Sequence, residues 1–111
     1  MTKKTILFDL DGVLNTYDGN YNPNYIPPIK DGAYNLIKEL AKDYKIVIFT
    51  ARNTLIASKW IIKNKLDKYV QNVTNVKESA YLTVDDRCIN FDGDYKELKN
   101  KIDKFEVWYN K

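Results

Sequence analysis

The sequence contains no histidine and only one cysteine, Cys88, in 111 residues. Without histidine, the chain cannot form a Ser-His-Asp triad, a Cys-His pair or a zinc site that uses an imidazole ligand. A single cysteine forms neither an intrachain disulfide nor a thiolate cage, which agrees with a reducing compartment. Any metal held by these side chains must be bound through oxygen, and oxygen ligands favour Mg²⁺, Mn²⁺ or Ca²⁺.

Long apolar runs are also missing. The basic residues Lys3 and Lys4 lead into a short apolar run that Asp9 and Asp11 interrupt. No signal-peptide core survives, and no stretch of about 18 apolar residues is present. We therefore expect a soluble, cytoplasmic protein with no membrane partner. The net charge of +3 is mild and the lysines are scattered, so the charge pattern does not support a nucleic-acid partner.

The pattern of apolar residues predicts an α/β fold. A hydrophobic content of 44% in 111 residues suits one domain, 1–111, with a well-formed core. Short apolar runs predict buried strands at 6–8, 46–49 and 81–84, with weaker strand signals at 69–76 and 88–91. Helical spacing predicts helices over 29–44, with Asp31 as N-cap, over 54–65, and after Asp94. Because strands alternate with helices, we expect a three-layer sandwich around a central parallel sheet.

One segment, 15–28, has no such periodicity. It is polar and turn-rich, and it contains Tyr17, Tyr21 and Tyr25. We expect it to form a short flap. Three aromatic rings in a loop beside an open site suit stacking on a base, and packing of the rings on the core explains the same pattern equally well.

Polar clusters follow the three best strand patterns. They are Asp9-Leu10-Asp11-Gly12, Thr50-Ala51-Arg52-Asn53 and Asp85-Asp86-Arg87. The carboxyl ends of parallel strands meet at one edge of a sheet, so we expect these clusters to converge. Carboxylates brought that close repel one another by several kcal/mol in a partly buried site, and a hard divalent cation relieves the conflict. The sequence therefore predicts a Mg²⁺ site among the aspartates at positions 9, 11, 85 and 86.

The same clusters carry groups suited to phosphoryl transfer. Of two neighbouring carboxylates, one can attack phosphorus while the other protonates the leaving oxygen and later activates water. The Thr50 hydroxyl and the N–H groups of Ala51 and Arg52 can hold a phosphate at a helix start. Arg52 is also a candidate to contact substrate, with pairing to a nearby carboxylate as the alternative. Lys77 is the candidate cation for the transferred charge, with Lys65 and Lys68 as alternatives.

These motifs, in this order, resemble those of the haloacid dehalogenase (HAD) superfamily. The matching residues are Asp-Leu-Asp-Gly-Val-Leu after the first strand, Phe-Thr-Ala-Arg after the second, Lys77, and Val-Asp-Asp-Arg after the last. The resemblance covers residues 5–93. It implies a Rossmann-like HAD core, and because the segment 15–28 is far too short for a folded cap domain, the resemblance is to capless members.

The resemblance implies a Mg²⁺-dependent phosphomonoester hydrolase. Asp9 would be the nucleophile that forms an aspartyl-phosphate, and Asp11 would be the general acid and base, with its backbone carbonyl on the metal. Asp85 and Asp86 would anchor the metal, one directly and one through water. An aspartate at position 11 resembles the phosphatases of the superfamily rather than its dehalogenases.

The resemblance also assigns the remaining roles. Thr50 would bind a phosphoryl oxygen, and Lys77 would neutralise the charge shared by Asp9 and the phosphoryl group. The substrate expected from nucleotidase-like relatives is a nucleotide or a polynucleotide phosphate end. Two alternatives stay open: a non-catalytic module of the same fold that binds a phosphorylated ligand, and a receiver domain that is stably phosphorylated.

Overall fold

A computed structural model describes residues 2–110 of the chain. Within that range the elements are β1 (Lys4–Asp9), α1 (Ala33–Leu40), β2 (Tyr44–Phe49), α2 (Thr54–Lys63), β3 (Val70–Thr74), β4 (Leu82–Val84), α3 (Tyr95–Lys104) and a 3₁₀ turn (Trp108–Asn110). The predicted α/β fold is confirmed. No helix between residues 2 and 110 is both long enough and apolar enough to span a lipid bilayer.

The four strands form one parallel sheet in the order β3-β2-β1-β4. The chain moves to one side of β1 for β2 and β3, and it then crosses to the other side for β4. This Rossmann-like order places the topological switch point between β1 and β4, where α/β proteins bind ligands. Asp9 is the register partner of Phe49, and Phe8 is the partner of Val84, so the polar clusters after these strands share one edge.

The core lies mainly between the sheet and the first two helices. Alternate residues of the two central strands point to one face because side chains along a strand have a period of two. On that face Ile6, Phe8, Ile46 and Ile48 are buried in one cluster with Ala33 and Ile37 of α1 and with Ala57, Trp60 and Ile61 of α2. Leu7 and Val47, which alternate with them, are buried as well. Burial on both faces explains the continuous apolar runs of β1 and β2.

Several local predictions need correction. Asp31 was predicted to cap α1, and this prediction is wrong. The N-cap residue is Gly32, and no side chain caps the helix. The reason is a turn in which the Ala33 N–H donates to the Lys30 carbonyl (3.0 Å), so Asp31 lies before the first helical residue. The strand predicted at 88–91 is absent, and Cys88 and Phe91 there are exposed. The Asp94 cap of α3 is confirmed, since its carboxylate accepts hydrogen bonds from the N–H groups of two first-turn residues.

Helix α3 contributes little to this core. It has no buried residue, and Tyr95, Ile102 and the following Phe105 are exposed. The site at the switch point is therefore positioned by β1, β2 and β4, together with the loops that follow them.

Candidate metal and phosphate site

Three aspartates from the ends of two neighbouring strands form one acidic group. Asp9 is the last residue of β1, and Asp85 and Asp86 directly follow β4. One carboxylate oxygen from each lies within 4.8 Å of the others, and all three residues are half-buried. Residues 76 positions apart in the chain thus meet because β1 and β4 pair in parallel, with Phe8 opposite Val84.

The electrostatics of this group are unfavourable without a cation. Burial, followed by the charges of Asp85 and Asp86, raises the pKa of Asp9 from 3.8 to about 7. Burial also raises the pKa of Asp86, with a contribution from its hydrogen bond with Asp85. A carboxylate must be ionised to act as a nucleophile, and a bound cation favours that ionised form. The donor set is made of oxygens alone, which fits Mg²⁺.

Gly12 allows the acidic group to close. Its φ of 82° lies in the left-handed region, which glycine adopts without a steric penalty. A Cβ atom at this position would overlap the carboxylate of Asp86. The turn after Asp11 therefore brings bare backbone against a predicted metal ligand, and only glycine leaves room for both.

The Asp11 carboxylate points to other partners. Among residues 2–110 the acidic group consists of Asp9, Asp85 and Asp86, without Asp11. Oδ2 of Asp11 accepts a hydrogen bond from Nε of Arg52 (2.8 Å), and Oδ1 accepts one from Nδ2 of Asn15 (3.0 Å). The Asp11 carboxylate, which the sequence predicted as a metal ligand, is thus not part of the acidic group. The role that the resemblance gives to Asp11 at the metal concerns its backbone carbonyl.

Arg52 links Asp11 to the flap. Its side chain is only 1% exposed, and its Nη1 group donates to the carbonyl of Asn22 (2.7 Å). The ring of Tyr21 lies 4.7 Å from the guanidinium carbon, a distance typical of a cation–π contact. The Nη2 group is buried and has no hydrogen-bond partner among residues 2–110. The structure therefore shows the ion pair that was the alternative to substrate contact, and Nη2 remains as a donor.

Thr50 is buried at the end of β2. Its hydroxyl oxygen accepts a hydrogen bond from the N–H of Arg52 (3.1 Å). The cap of α2 is Asn53, whose side chain accepts from the N–H groups of Leu55 (2.9 Å) and Ile56 (3.2 Å). Of the donors predicted to hold a phosphate, the N–H of Arg52 is therefore already used by Thr50, whereas Asn53 caps the helix through N–H groups outside the predicted set.

The candidate lysines lie at different edges of the sheet. Lys77 is exposed in the loop between β3 and β4, after the carboxyl end of β3, and it forms no ion pair or hydrogen bond with any residue from 2 to 110. Lys65 and Lys68 precede the amino end of β3. In a parallel sheet that end lies opposite the carboxyl end of β1, so these two alternatives are on the wrong side for Asp9. Lys77 is on the right side but does not contact the acidic group.

The flap tyrosines divide into two kinds. Tyr17 packs edge-to-face against Tyr109 with ring centroids 5.9 Å apart, and Tyr21 covers Arg52. Tyr25 is 57% exposed. Two of the three rings therefore have aromatic or cationic partners within the chain, while Tyr25 lines a hollow with Trp60 and Lys63, away from the acidic group.

Sequence reasoning missed three residues that hold these loops. Asn15 is completely buried and bonds to both Asp11 and Gly12. Asn75 donates from Nδ2 to the carbonyls of Thr50 (3.0 Å) and Arg52 (2.8 Å). The indole N–H of Trp108 donates to the carbonyl of Gly12 (2.7 Å). Asn15 follows Val13-Leu14 at the end of an apolar stretch, which was a weak signal of burial, and the other two carried no local signal.

Comparisons with known proteins support the fold. No protein-family model matches the sequence, and no curated protein matches it. The structure is similar to that of a conserved protein from Bacteroides thetaiotaomicron, with a TM-score of 0.62 over 96% of this chain and 95% of that chain. The two sequences are 16% identical, so the likeness concerns the fold.

Proposed function

We propose that the protein is a Mg²⁺-dependent phosphomonoester hydrolase that works through an aspartyl-phosphate on Asp9. The observation that carries this proposal is the acidic group of Asp9, Asp85 and Asp86, within 4.8 Å at the switch point of a parallel sheet. Like charges held this close in a half-buried place are costly unless a cation or a proton is shared among them. The resemblance of four motifs to the HAD superfamily supports the same chemistry.

The residues that would hold Mg²⁺ are Asp9, Asp85, Asp86 and the backbone carbonyl of Asp11. When bound, the ion would keep Asp9 ionised and offset the charge of the phosphoryl oxygens. The raised pKa values of Asp9 and Asp86 fit this assignment, because burial, and after it the neighbouring carboxylates, disfavour the ionised forms that a bound cation would favour.

The reaction has two steps. In the first, a carboxylate oxygen of Asp9 attacks phosphorus, the bond from phosphorus to the leaving oxygen breaks, and Asp11 gives that oxygen a proton. In the second, Asp11 takes a proton from water, the water oxygen attacks phosphorus, and the bond to Asp9 breaks. Phosphate leaves, and both carboxyl groups return to their starting state.

The contacts of Asp11 suit the second step directly. Both of its carboxylate oxygens accept hydrogen bonds, from Arg52 and from Asn15, and these contacts orient the carboxylate that takes a proton from water. To serve as the acid in the first step, Asp11 must take up a proton and give up one of these contacts. The Arg52 contact also reaches the flap through Asn22, so this exchange is coupled to the loop that borders the site.

A nucleotide or a polynucleotide phosphate end is the substrate class that we favour. The support for this class is the resemblance to nucleotidase-like members of the superfamily, since the exposed ring of Tyr25 lines a hollow beside Trp60 and Lys63 and not the acidic group. Among residues 2–110 no folded cap domain covers this edge of the sheet, so a leaving group of that size can reach it.

The test is hydrolysis of p-nitrophenyl phosphate, compared between the wild-type protein and Asp9→Asn, with Mg²⁺ and with a chelator. We expect turnover by the wild-type protein with Mg²⁺ alone, and a loss of at least about 10³-fold in Asp9→Asn. Equal rates for the two proteins would overturn the proposal. A nucleotide and sugar-phosphate panel with the active protein then tests the substrate class.

Two observations favour a second candidate, a non-catalytic module that binds a phosphorylated ligand. Lys77 has no contact with the acidic group, and Asp11 is tied to Arg52. If wild-type protein binds a nucleoside monophosphate in calorimetry and releases no phosphate from it, this candidate replaces the enzyme. Stable labelling by acetyl phosphate without phosphate release would instead indicate a receiver-like protein.

A further inference from the structure

The turn around Gly12 is fixed by side chains that have no assigned role. The turn is closed by a hydrogen bond from the Leu14 N–H to the Leu10 carbonyl (3.0 Å). Gly12 itself is buried with a left-handed φ. Two of the peptide planes in this turn adjoin Gly12, one on each side, and each of the two has a side-chain hydrogen-bond partner.

Asn15 holds the first of these planes. Its Oδ1 atom accepts hydrogen bonds from the N–H groups of Gly12 (3.1 Å) and Tyr17 (3.0 Å), and its Nδ2 group donates to Asp11 (3.0 Å). A carboxamide that is completely buried needs such partners, because an unsatisfied polar group costs about 1–3 kcal/mol there. One side chain therefore fixes both the carboxylate of Asp11 and the peptide that follows it.

The planarity of the peptide bond extends this effect to the Asp11 carbonyl. In a trans peptide the C=O of one residue points opposite to the N–H of the next. Since the Gly12 N–H is directed at Asn15, the Asp11 carbonyl is directed away from Asn15. The orientation of that carbonyl is thus set by a residue four positions later in the chain.

Trp108 holds the second plane. Its indole N–H donates to the Gly12 carbonyl (2.7 Å) across 96 positions of sequence. The indole is itself held by an edge-to-face contact with Tyr109 (5.6 Å between centroids) and by the ammonium group of Lys30 (4.8 Å from the ring centroid). Val107, the residue before it, is buried. The segment Val107–Tyr109 thus braces the turn from outside.

We infer that Asn15 and Trp108 are positioning residues that fix the two peptide planes around Gly12 and so direct the Asp11 carbonyl and the Asp86 carboxylate at one cation. The inference rests on the proposed metal site. Asp86 is included because Gly12 backbone lies against its carboxylate with no space for a Cβ atom. A tilt of the second plane would therefore disturb that carboxylate.

The experiment measures Mg²⁺ binding by titration calorimetry without substrate. Trp108→Phe keeps an aromatic ring and removes the N–H donor, and we expect about 5-fold weaker Mg²⁺ binding, the effect of one hydrogen bond. Trp60→Phe is the matched control, because the indole N–H of Trp60 also donates to a backbone carbonyl, that of Pro27 (3.1 Å), away from Gly12. Asn15→Ala should weaken binding further and speed hydrogen exchange of the Gly12 amide.

The outcomes separate the two proposals. Wild-type protein that binds no Mg²⁺ would overturn the metal site, and the inference with it. If the wild-type protein binds Mg²⁺ and Trp108→Phe binds it equally tightly, the inference is overturned and the metal site is not. Circular dichroism melting of each variant shows that it is folded, and if Asn15→Ala is unfolded, Trp108→Phe decides the matter. In active protein we expect Trp108→Phe to lower kcat at saturating substrate, with recovery at high Mg²⁺ concentration.

Discussion

Nε of Arg52 donates a 2.8 Å hydrogen bond to Oδ2 of Asp11, in an ion pair whose arginine side chain is 1% exposed and whose aspartate side chain is 20% exposed. An exposed pair of similar length, Lys99 with Asp103 (2.7 Å), lies on α3. The two pairs differ in burial and not in distance. That difference decides their energetic consequences, because removing one partner leaves an uncompensated charge only in the buried pair.

Arg52→Met should therefore destabilise the protein. We expect the free energy of unfolding to fall by about 3 kcal/mol, since the partly buried Asp11 and the Asn22 carbonyl both lose the donor that the buried arginine supplies. The measurement is urea denaturation followed by circular dichroism. Lys99→Met is the control and should leave the midpoint unchanged. Equal effects of the two substitutions would contradict the assignment of Arg52 as the link between Asp11 and the flap.

Gly12→Ala should damage both folding and metal binding. The added methyl group would overlap the Asp86 carboxylate, and a left-handed φ is strained for alanine. Gly32→Ala is the matched control, because its φ of 89° is similar and no atom lies within 4 Å of its added Cβ. We expect about 1 kcal/mol of destabilisation at Gly32 and clearly more at Gly12, where Mg²⁺ binding should also be lost.

A change in thermal stability with pH should report the acidic group. The pKa of Asp9 in the folded protein, about 7, lies above its ordinary 3.8, so folding favours the protonated form. The stabilisation from that proton is complete below the lower value and is lost as the pH rises through about 7. In the presence of a chelator we therefore expect the melting temperature to fall between about pH 4 and about pH 7 and to level off above that range.

Asp9→Asn gives the control for this pH dependence, because the amide resembles the protonated carboxyl and does not titrate. Its melting temperature should vary less over the same pH range and should exceed that of the metal-free wild-type protein at about pH 8. Mg²⁺ should raise the melting temperature of the wild-type protein at that pH and have little effect on Asp9→Asn. Parallel pH profiles for the two proteins would argue against a proton shared within the acidic group.

Lys77→Met tests the remaining cation of the predicted set. If the ammonium group moves to the phosphoryl group during turnover, kcat should fall by about 10² or more while the melting temperature stays unchanged, since the side chain has no ion pair among residues 2–110. The exposed Lys99→Met serves again as the control. A Lys77→Met protein with wild-type kcat would remove Lys77 from the mechanism.

The strands, and with them the location of the acidic group, could be predicted from the sequence. Ile6-Leu7-Phe8 and Ile46-Val47-Ile48 are continuous apolar runs because both faces of those strands are buried, and a run of that kind is visible locally. Asp9 directly follows the first such run, and Asp85 and Asp86 follow the weaker strand that ends at Val84, whose residues are exposed or half-buried. Their convergence required that these two strands be parallel neighbours. The missing strand at 88–91 shows the limit of the same reasoning. Phe91 is exposed, Ile89 is only half-buried, and this stretch pairs with no strand among residues 2–110.

The sequence alone determined that any metal must be held by oxygen, that the fold is α/β, and that Asp9, Asp85 and Asp86 follow strand ends. Only the tertiary structure decided that Arg52 is buried against Asp11, that Lys77 is exposed, and that Trp108 reaches the Gly12 carbonyl. The physical reason is the separation in sequence between the residues that interact. Strand burial leaves a pattern within a few residues, whereas a side-chain hydrogen bond across 96 positions depends on where the whole chain has carried its two ends.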